Sequence, residues 1–102
     1  MAVVDFVDHL YREALTDYGP GNSHANTVDD LKVKIGDQAR ESDVLVRTAL
    51  NRHMKITIIS RYYVNQASLH AEIAAMHELQ GNTNGRENHL SLARQYKELE
   101  IS

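Results

Sequence analysis

The sequence predicts an all-α fold: a small helical bundle built on a long antiparallel helical hairpin, with a short N-terminal and a short C-terminal helix. No glycine or proline occurs between Asp37 and Gln80, so nothing in that stretch interrupts long helices. Apolar residues recur at spacings of three, four and seven, which is the pattern of helices with one buried side. The length of 102 residues suits one domain, and we expect residues 1–102 to form a single helical domain.

The first helix is predicted over residues 3–17, where Val7, Leu10 and Ala14 recur at helical spacing. A loop is expected to follow as far as residue 26. The second helix is expected to begin at Thr27, because Thr27-Val-Asp-Asp30 resembles a capping box, with a hydroxyl for free backbone amides and acids in the first turn.

The sequence allows two paths for the central segment. Gly36 either ends the second helix or only weakens it, and Asp37 is placed to cap a further helix that runs to about His53. The segment from Met54 to Val64 is rich in β-branched and aromatic residues, which are typical of strands. No turn signal flanks it and the helical spacing continues, so we expect a helix. The chain then either turns near residues 51–53 into a hairpin or continues as one rod about 60 Å long.

A polar turn is predicted at Gly81-Asn-Thr-Asn-Gly85, with Gly81 in the left-handed conformation that follows many helix ends. Asn84 with Glu87 is expected to cap the last helix, which is predicted from Gly85 to about Glu100.

Three polar residues, Gln38, Ser42 and Gln66, interrupt the apolar seams of the predicted hairpin. Polar residues at such positions set the register between helices or subunits more often than they form a dry interior. We therefore expect a homodimer or a higher oligomer.

The most unusual feature of the sequence is the distribution of its charges. The chain has a net charge of −3, yet no Asp or Glu occurs from Val44 to Ala71. That stretch carries the cations Arg47, Arg52, Lys55 and Arg61. Such a segment meets either an anionic ligand or the acidic flanks of its own chain or of a sister subunit.

We predict a non-enzymatic binding protein, a homo-oligomeric adaptor or a small inhibitor of the viral or mobile-element type. It would act by occupying a protein target or a small anionic, phosphate-bearing ligand. Arginine grips phosphate oxygens in pairs and tyrosine stacks on bases. The acidic balance of the chain makes nucleic acid a less favoured partner. The predicted contact residues are Arg47, Lys55, Arg61, Tyr62, Tyr63 and His70.

Two alternatives involve nucleic acid. Arg47-Thr-Ala-Leu-Asn-Arg-His53 resembles the Arg-x(4–6)-His pattern of helical-bundle ribonucleases of the HEPN type. The resemblance implies metal-independent RNA cleavage, in which His53 is the general acid or base and Arg47 stabilises the phosphorane. A helix-turn-helix over residues 45–75 fits by length, but no glycine marks its turn.

The remaining composition limits the chemistry and the location. There is no cysteine, which excludes disulfides and thiolate chemistry. Of the six histidines, His70 and His77 lie about 10.5 Å apart along one helix, too far to bind one ion, so we expect no metal and no cofactor. The N-terminus lacks the basic region of a signal peptide, and no apolar run approaches the ~20 residues of a membrane span. We expect a cytoplasmic protein of a bacterial or host cell, with no membrane partner.

Overall fold

A computed structural model describes residues 3–19 and 25–100, which form four α-helices and no strand. The helices are α1 (Val3–Tyr18), α2 (Ala25–Thr48), α3 (Arg52–Leu79) and α4 (Thr83–Leu99). The predicted all-α bundle with a central hairpin is thereby confirmed. Part of the first predicted loop, residues 20–24, lies outside the described residues.

The third helix is the centre of the fold, because it packs against each of the other three helices. The second helix runs antiparallel along one side of it, and α4 runs antiparallel along another side, each joined to it by a short turn. The first helix lies across α3 and α4. The hairpin alternative is therefore the observed one, and the continuous rod is not.

Small side chains on α3 allow its neighbours to approach closely. Ala67, Ala71, Ala74 and Ala75 are fully buried. Two apolar clusters form around three of them, Ala71, Ala74 and Ala75. One joins α1, α4 and α3 and is built from Val7, Leu90, Ala93, Ala71 and Ala74. The other joins α1, α2 and α3 and is built from Ala14, Val28, Leu31, Ala75, Ile73 and Met76.

The segment with strand-like composition is helical, as expected, since Met54 to Val64 lies within α3. The α2–α3 turn comes earlier than predicted, because α2 ends at Thr48 and not near His53. Asn51 stabilises the turn by capping α3. Its backbone is extended (φ −153°, ψ 171°), and its side-chain oxygen accepts a hydrogen bond from the backbone nitrogen of Met54 (2.8 Å).

Two other boundaries differ from the predictions. The second helix begins at Ala25, so Thr27 lies inside its first turn and is not a cap, and Gly36 lies inside the helix without ending it. Asn82, not Asn84, caps α4, because its side-chain oxygen accepts a hydrogen bond from the backbone nitrogen of Gly85 (2.9 Å). The left-handed conformation predicted for Gly81 is confirmed (φ +77°).

One of the polar seam residues is fully buried. The side-chain nitrogen of Gln66 on α3 donates to the backbone oxygen of Ile35 (3.3 Å) and to the side-chain oxygen of Gln38 (3.0 Å), both on α2. A buried amide that loses these acceptors pays a desolvation penalty. The pair therefore fixes the register of α2 against α3.

The end of the hairpin extends beyond the rest of the molecule. The fourth helix has 17 residues and α3 has 28, so α4 ends alongside the middle of α3. No residue from 37 to 64 is buried, whereas fully buried residues occur on both sides of this range. We call residues 37–64 the arm, and the four-helix remainder the body.

The two helical glycines lead to a test of this packing. Alanine normally stabilises a helix by about 1 kcal/mol relative to glycine. A β-carbon at Gly85 would lie 2.7 Å from Cγ of His77, so we expect Gly85→Ala to lower the free energy of unfolding and the melting temperature. The matched control is Gly36→Ala, whose β-carbon would meet only the flexible end of Arg40 at 3.4 Å. We expect that variant to be more stable by about 0.5–1 kcal/mol. Stabilisation by both substitutions, measured by thermal and urea unfolding, would contradict the close approach at Gly85.

Candidate functional site

The basic segment predicted from the sequence lies on the arm. Arg52, Lys55 and Arg61 are exposed side chains of α3. None of the three makes an ion pair with any described residue, although carboxylates are common on the other helices. The paired arginines of the chain are Arg12 with Asp8, Arg40 with Asp37, Arg47 with Asp43, and Arg86 with Glu78 and Glu87. We use the term basic segment for Arg52, Lys55 and Arg61.

Arg47 lies in the last turn of α2, across the tip of the arm from the basic segment. Its guanidinium contacts the carboxylate of Asp43 at 2.5 Å, one turn earlier on the same helix. Arg47 is therefore neutralised by an acidic residue of its own chain, as one of the two alternatives from the sequence expects, whereas the three cations of the basic segment are not.

Tyr62 and Tyr63 lie at the base of the arm and are half-buried. Their rings contact Tyr96 of α4, with centroids 6.1 and 6.4 Å away, and each other at 5.7 Å. Burial beside Tyr96 raises the pKa of Tyr62. The faces that would stack on a nucleobase are thus partly occupied by α4.

His70 lies farther from the arm, buried between α3 and α4 with 7% of its surface exposed. It belongs to a ladder of rings that alternate between the two helices in the order His77, His89, His70, Tyr96 and Tyr63. Successive centroids are 5.2, 5.1, 5.4 and 6.4 Å apart. We call these five residues the aromatic ladder. It joins the two helices, and it separates His70 from the exposed cations of the arm.

A hydrogen bond joins two neighbouring rings of the ladder. The Nδ1 atoms of His70 and His89 are 2.9 Å apart, so one must carry hydrogen and the other must accept it, which requires the accepting ring to be neutral. Burial lowers the pKa of His70. Burial and then the nearby His70, His77 and Lys32 lower the pKa of His89 to about 4. The pKa of His77 is also lowered, by burial and by Lys32 of α2.

The ladder is suited to joining helices and not to binding a metal. Within residues 3–19 and 25–100, no three His, Cys, Asp or Glu side chains come together as metal ligands. The contribution of His89 was missed from the sequence because it comes from another helix. The seven-residue spacing of His70 and His77 on one helix, and of His89 and Tyr96 on the next, was the available signal.

The arm also exposes apolar side chains. Leu50 at the tip is 87% exposed, and Val44, Leu45 and Met54 are between 40% and 58% exposed. A groove of about 260 Å³ between α2 and α3 is lined by Leu45, Ile58 and Arg61, among others. A hollow of about 290 Å³ on α3 is lined almost entirely by apolar surface of Met54, Ile58 and two neighbours. The arm therefore combines unpaired cations with uncovered apolar surface.

No protein-family model matches this chain, and no curated protein and no solved structure matches it either. None of the four helices, as far as the structure describes them, has the length and the apolar character of a membrane span.

The lowered pKa values of the ladder histidines predict that the free energy of unfolding depends on pH. Because the unfolded histidines titrate near 6.5 and the folded ones lower, the unfolded state binds protons first as the pH falls. We expect the free energy of unfolding to be largest above pH 6.5 and to decrease as the pH falls toward about 4. Urea unfolding at half-unit pH steps measures this dependence.

The control for that experiment is a pair of histidine variants. His89→Asn removes a rung and should flatten the pH dependence, whereas His53→Asn changes an exposed histidine outside the ladder and should leave it unchanged. An identical pH dependence in both variants and the parent protein would show that the ladder does not titrate in this way.

Proposed function

We propose that this protein is a non-enzymatic interaction protein that binds an anionic partner through the basic segment of its arm. The observation that carries the proposal is the lack of any described carboxylate partner for Arg52, Lys55 and Arg61. Four other arginines of the same chain do contact carboxylates. An exposed guanidinium or ammonium group without a partner on its own chain is available for a carboxylate or a phosphate.

The position of the cations on α3 supports the same proposal. Arg52 is the first residue of α3, after the cap Asn51, and the first turn contains no acidic residue. The amino end of a helix carries a partial positive charge, so a cation there is locally unfavourable. Arg52 therefore lowers the stability of the folded protein, while its positive charge adds to the partial positive charge of the helix end. The carboxyl end of α2, with its partial negative charge, lies at the same tip, so the excess positive charge there comes from the side chains of Arg52 and Lys55, which would attract an anionic partner.

The arrangement favours a carboxylate-bearing partner over a nucleic acid. Tyr62 and Tyr63, which would stack on bases, already contact Tyr96. The exposed apolar side chains of the arm have no role in binding a phosphate backbone, but they are typical of protein interfaces. We therefore propose a protein partner, for an adaptor or an inhibitor that acts by occupying its target.

The experiment compares two triple variants of the full chain. One is Arg52→Gln, Lys55→Gln, Arg61→Gln; the matched control is Arg12→Gln, Lys32→Gln, Lys34→Gln, which removes the same charge from exposed positions outside the arm. The probes are a fluorescent glutamate-rich peptide and a single-stranded oligonucleotide of equal charge, with binding measured by anisotropy at two salt concentrations.

We expect the first variant to lose at least about tenfold in affinity for the peptide, because exposed ion pairs contribute about 0.5 kcal/mol each. The control variant should bind like the parent protein. An equal loss in the two variants, or no binding of either probe, would contradict the proposal. Tighter binding of the oligonucleotide would identify a phosphate-bearing partner instead.

One further variant distinguishes the ribonuclease alternative from the proposed interaction protein. Arg47 and His53 lie on the two sides of the turn at the tip of the arm, and Arg47 contacts Asp43. His53→Ala should leave binding of the peptide unchanged if the protein is an interaction protein. Cleavage of RNA by the parent protein that is lost in His53→Ala would establish the enzymatic function.

Charge reversal at the first residue of α3 should have opposite effects on stability and binding. Arg52→Glu replaces a cation with an anion at the positive helix end, so we expect the free energy of unfolding to increase by about 0.3–1 kcal/mol. The same change should weaken binding of the glutamate-rich peptide. Thermal unfolding and anisotropy measure the two effects, and Arg52→Gln should fall between the parent and Arg52→Glu in both. A lower free energy of unfolding in Arg52→Glu would show that Arg52 stabilises the fold, which would contradict this prediction.

A further inference from the structure

We infer that the arm binds an acidic amphipathic helix of another protein, which lies along α3 where α1 does not reach. This inference rests on the proposed function, since the basic segment supplies part of the recognition. It adds the secondary structure of the partner and the surface on which the partner packs.

The surface is one side of α3. Met54, Ile58, Arg61 and Asn65 follow at spacings of four, three and four, so they form a line along the helix. The same line continues with Ser68 and Glu72 into the body. There it borders α1: both residues are partly buried and line a pocket with Leu10, Ala14 and neighbouring residues of α1, and the Glu72 carboxylate accepts a hydrogen bond from the Tyr18 hydroxyl (3.4 Å).

The line is therefore partly buried beside α1 in the body and more exposed on the arm. Met54 is 40% exposed, and Leu45, across the groove on α2, is 45% exposed. From Met54 to Asn65 the line spans about 17 Å, which is three turns of helix. A partner helix of about 12–15 residues would cover it in the way that α1 covers the body.

The charges on the arm distinguish between possible occupants. Two of its three carboxylates, Asp37 and Asp43, are paired with Arg40 and Arg47 on their own helix. Within the described residues, Glu41 is then the one unpaired carboxylate of the arm, against the three cations of the basic segment. Arg61 lies on the line and Lys55 beside it, whereas Arg52, two residues before Met54, lies on the opposite side of α3. A second copy of this chain would therefore add two unpaired cations and the Glu41 carboxylate to the interface. An acidic partner would neutralise the excess positive charge, so it fits the surface better than the homodimer predicted from the sequence.

The test uses two synthetic peptides of identical composition, each about 18 residues long. One places leucine at every third or fourth position with glutamate on both flanks, so that it forms an acidic amphipathic helix. The other has the same residues in an order without an apolar side. Binding to the full chain is measured by calorimetry, and helix formation by circular dichroism. Light scattering on the free protein gives its oligomeric state.

We expect the amphipathic peptide to bind at least tenfold more tightly than the scrambled one and to gain helicity on binding. Leu45→Gln and Met54→Gln should each weaken its binding by at least tenfold. Val33→Gln and Leu99→Gln are the matched controls, since both residues are exposed apolar side chains outside the arm (59% and 55%). These controls should bind like the parent protein.

Three results would overturn the inference. Equal binding of both peptides, unchanged in Leu45→Gln and Met54→Gln, would leave charge-based recognition intact but exclude helix docking. Binding of neither peptide would overturn the proposed function as well. A parent protein that is dimeric, and that becomes monomeric in Leu45→Gln but not in Val33→Gln, would assign the surface to a second copy of the chain.

Discussion

The packing of α3 against three neighbours at once is the constraint on which the rest of the structure depends. It is possible because Ala71 and Ala74, fully buried in the cluster that α3 forms with α1 and α4, leave room for those helices close to the α3 backbone. Larger side chains there would push these helices apart and expose the buried apolar residues. The buried residues of α3 begin at Gln66, and no residue from 37 to 64 is buried. The division of the molecule into body and arm therefore follows from the positions of a few small residues along one helix.

The aromatic ladder gives the α3–α4 pair a defined register. Rings at seven-residue spacing on each helix interleave, so a shift of one residue would separate all contacts of the ladder together. Gln66 has the same effect between α3 and α2, through its hydrogen bonds to Ile35 and Gln38. Apolar contacts alone tolerate small shifts, whereas these directional contacts do not. Polar and aromatic groups thus determine the alignment, and the buried alanines determine the distance between helices.

The helices could be predicted from the sequence, whereas their caps and the contacts between them could not. Helical spacing outweighed the strand-like composition from Met54 to Val64, because apolar periodicity reports on burial and local propensity is weak. The caps Asn51 and Asn82 were missed because Asn also occurs in turns, and the contact of Gly85 with His77 cannot be read from either residue alone. Whether a cation finds a carboxylate depends on which helices pack together. That is why the unpaired state of Arg52, Lys55 and Arg61 became visible only in three dimensions.

The absence of buried residues in the arm has a consequence for how this protein can change over generations. Substitutions at Leu45, Met54 or Arg61 touch no side chain of the core, so each should alter recognition with little loss of folding. Insertions of one heptad into both α2 and α3 would lengthen the arm and preserve its faces, since α1 and α4 do not reach that far. The residues that must stay constant for folding therefore lie in the body, and those that can change together with a partner lie on the arm.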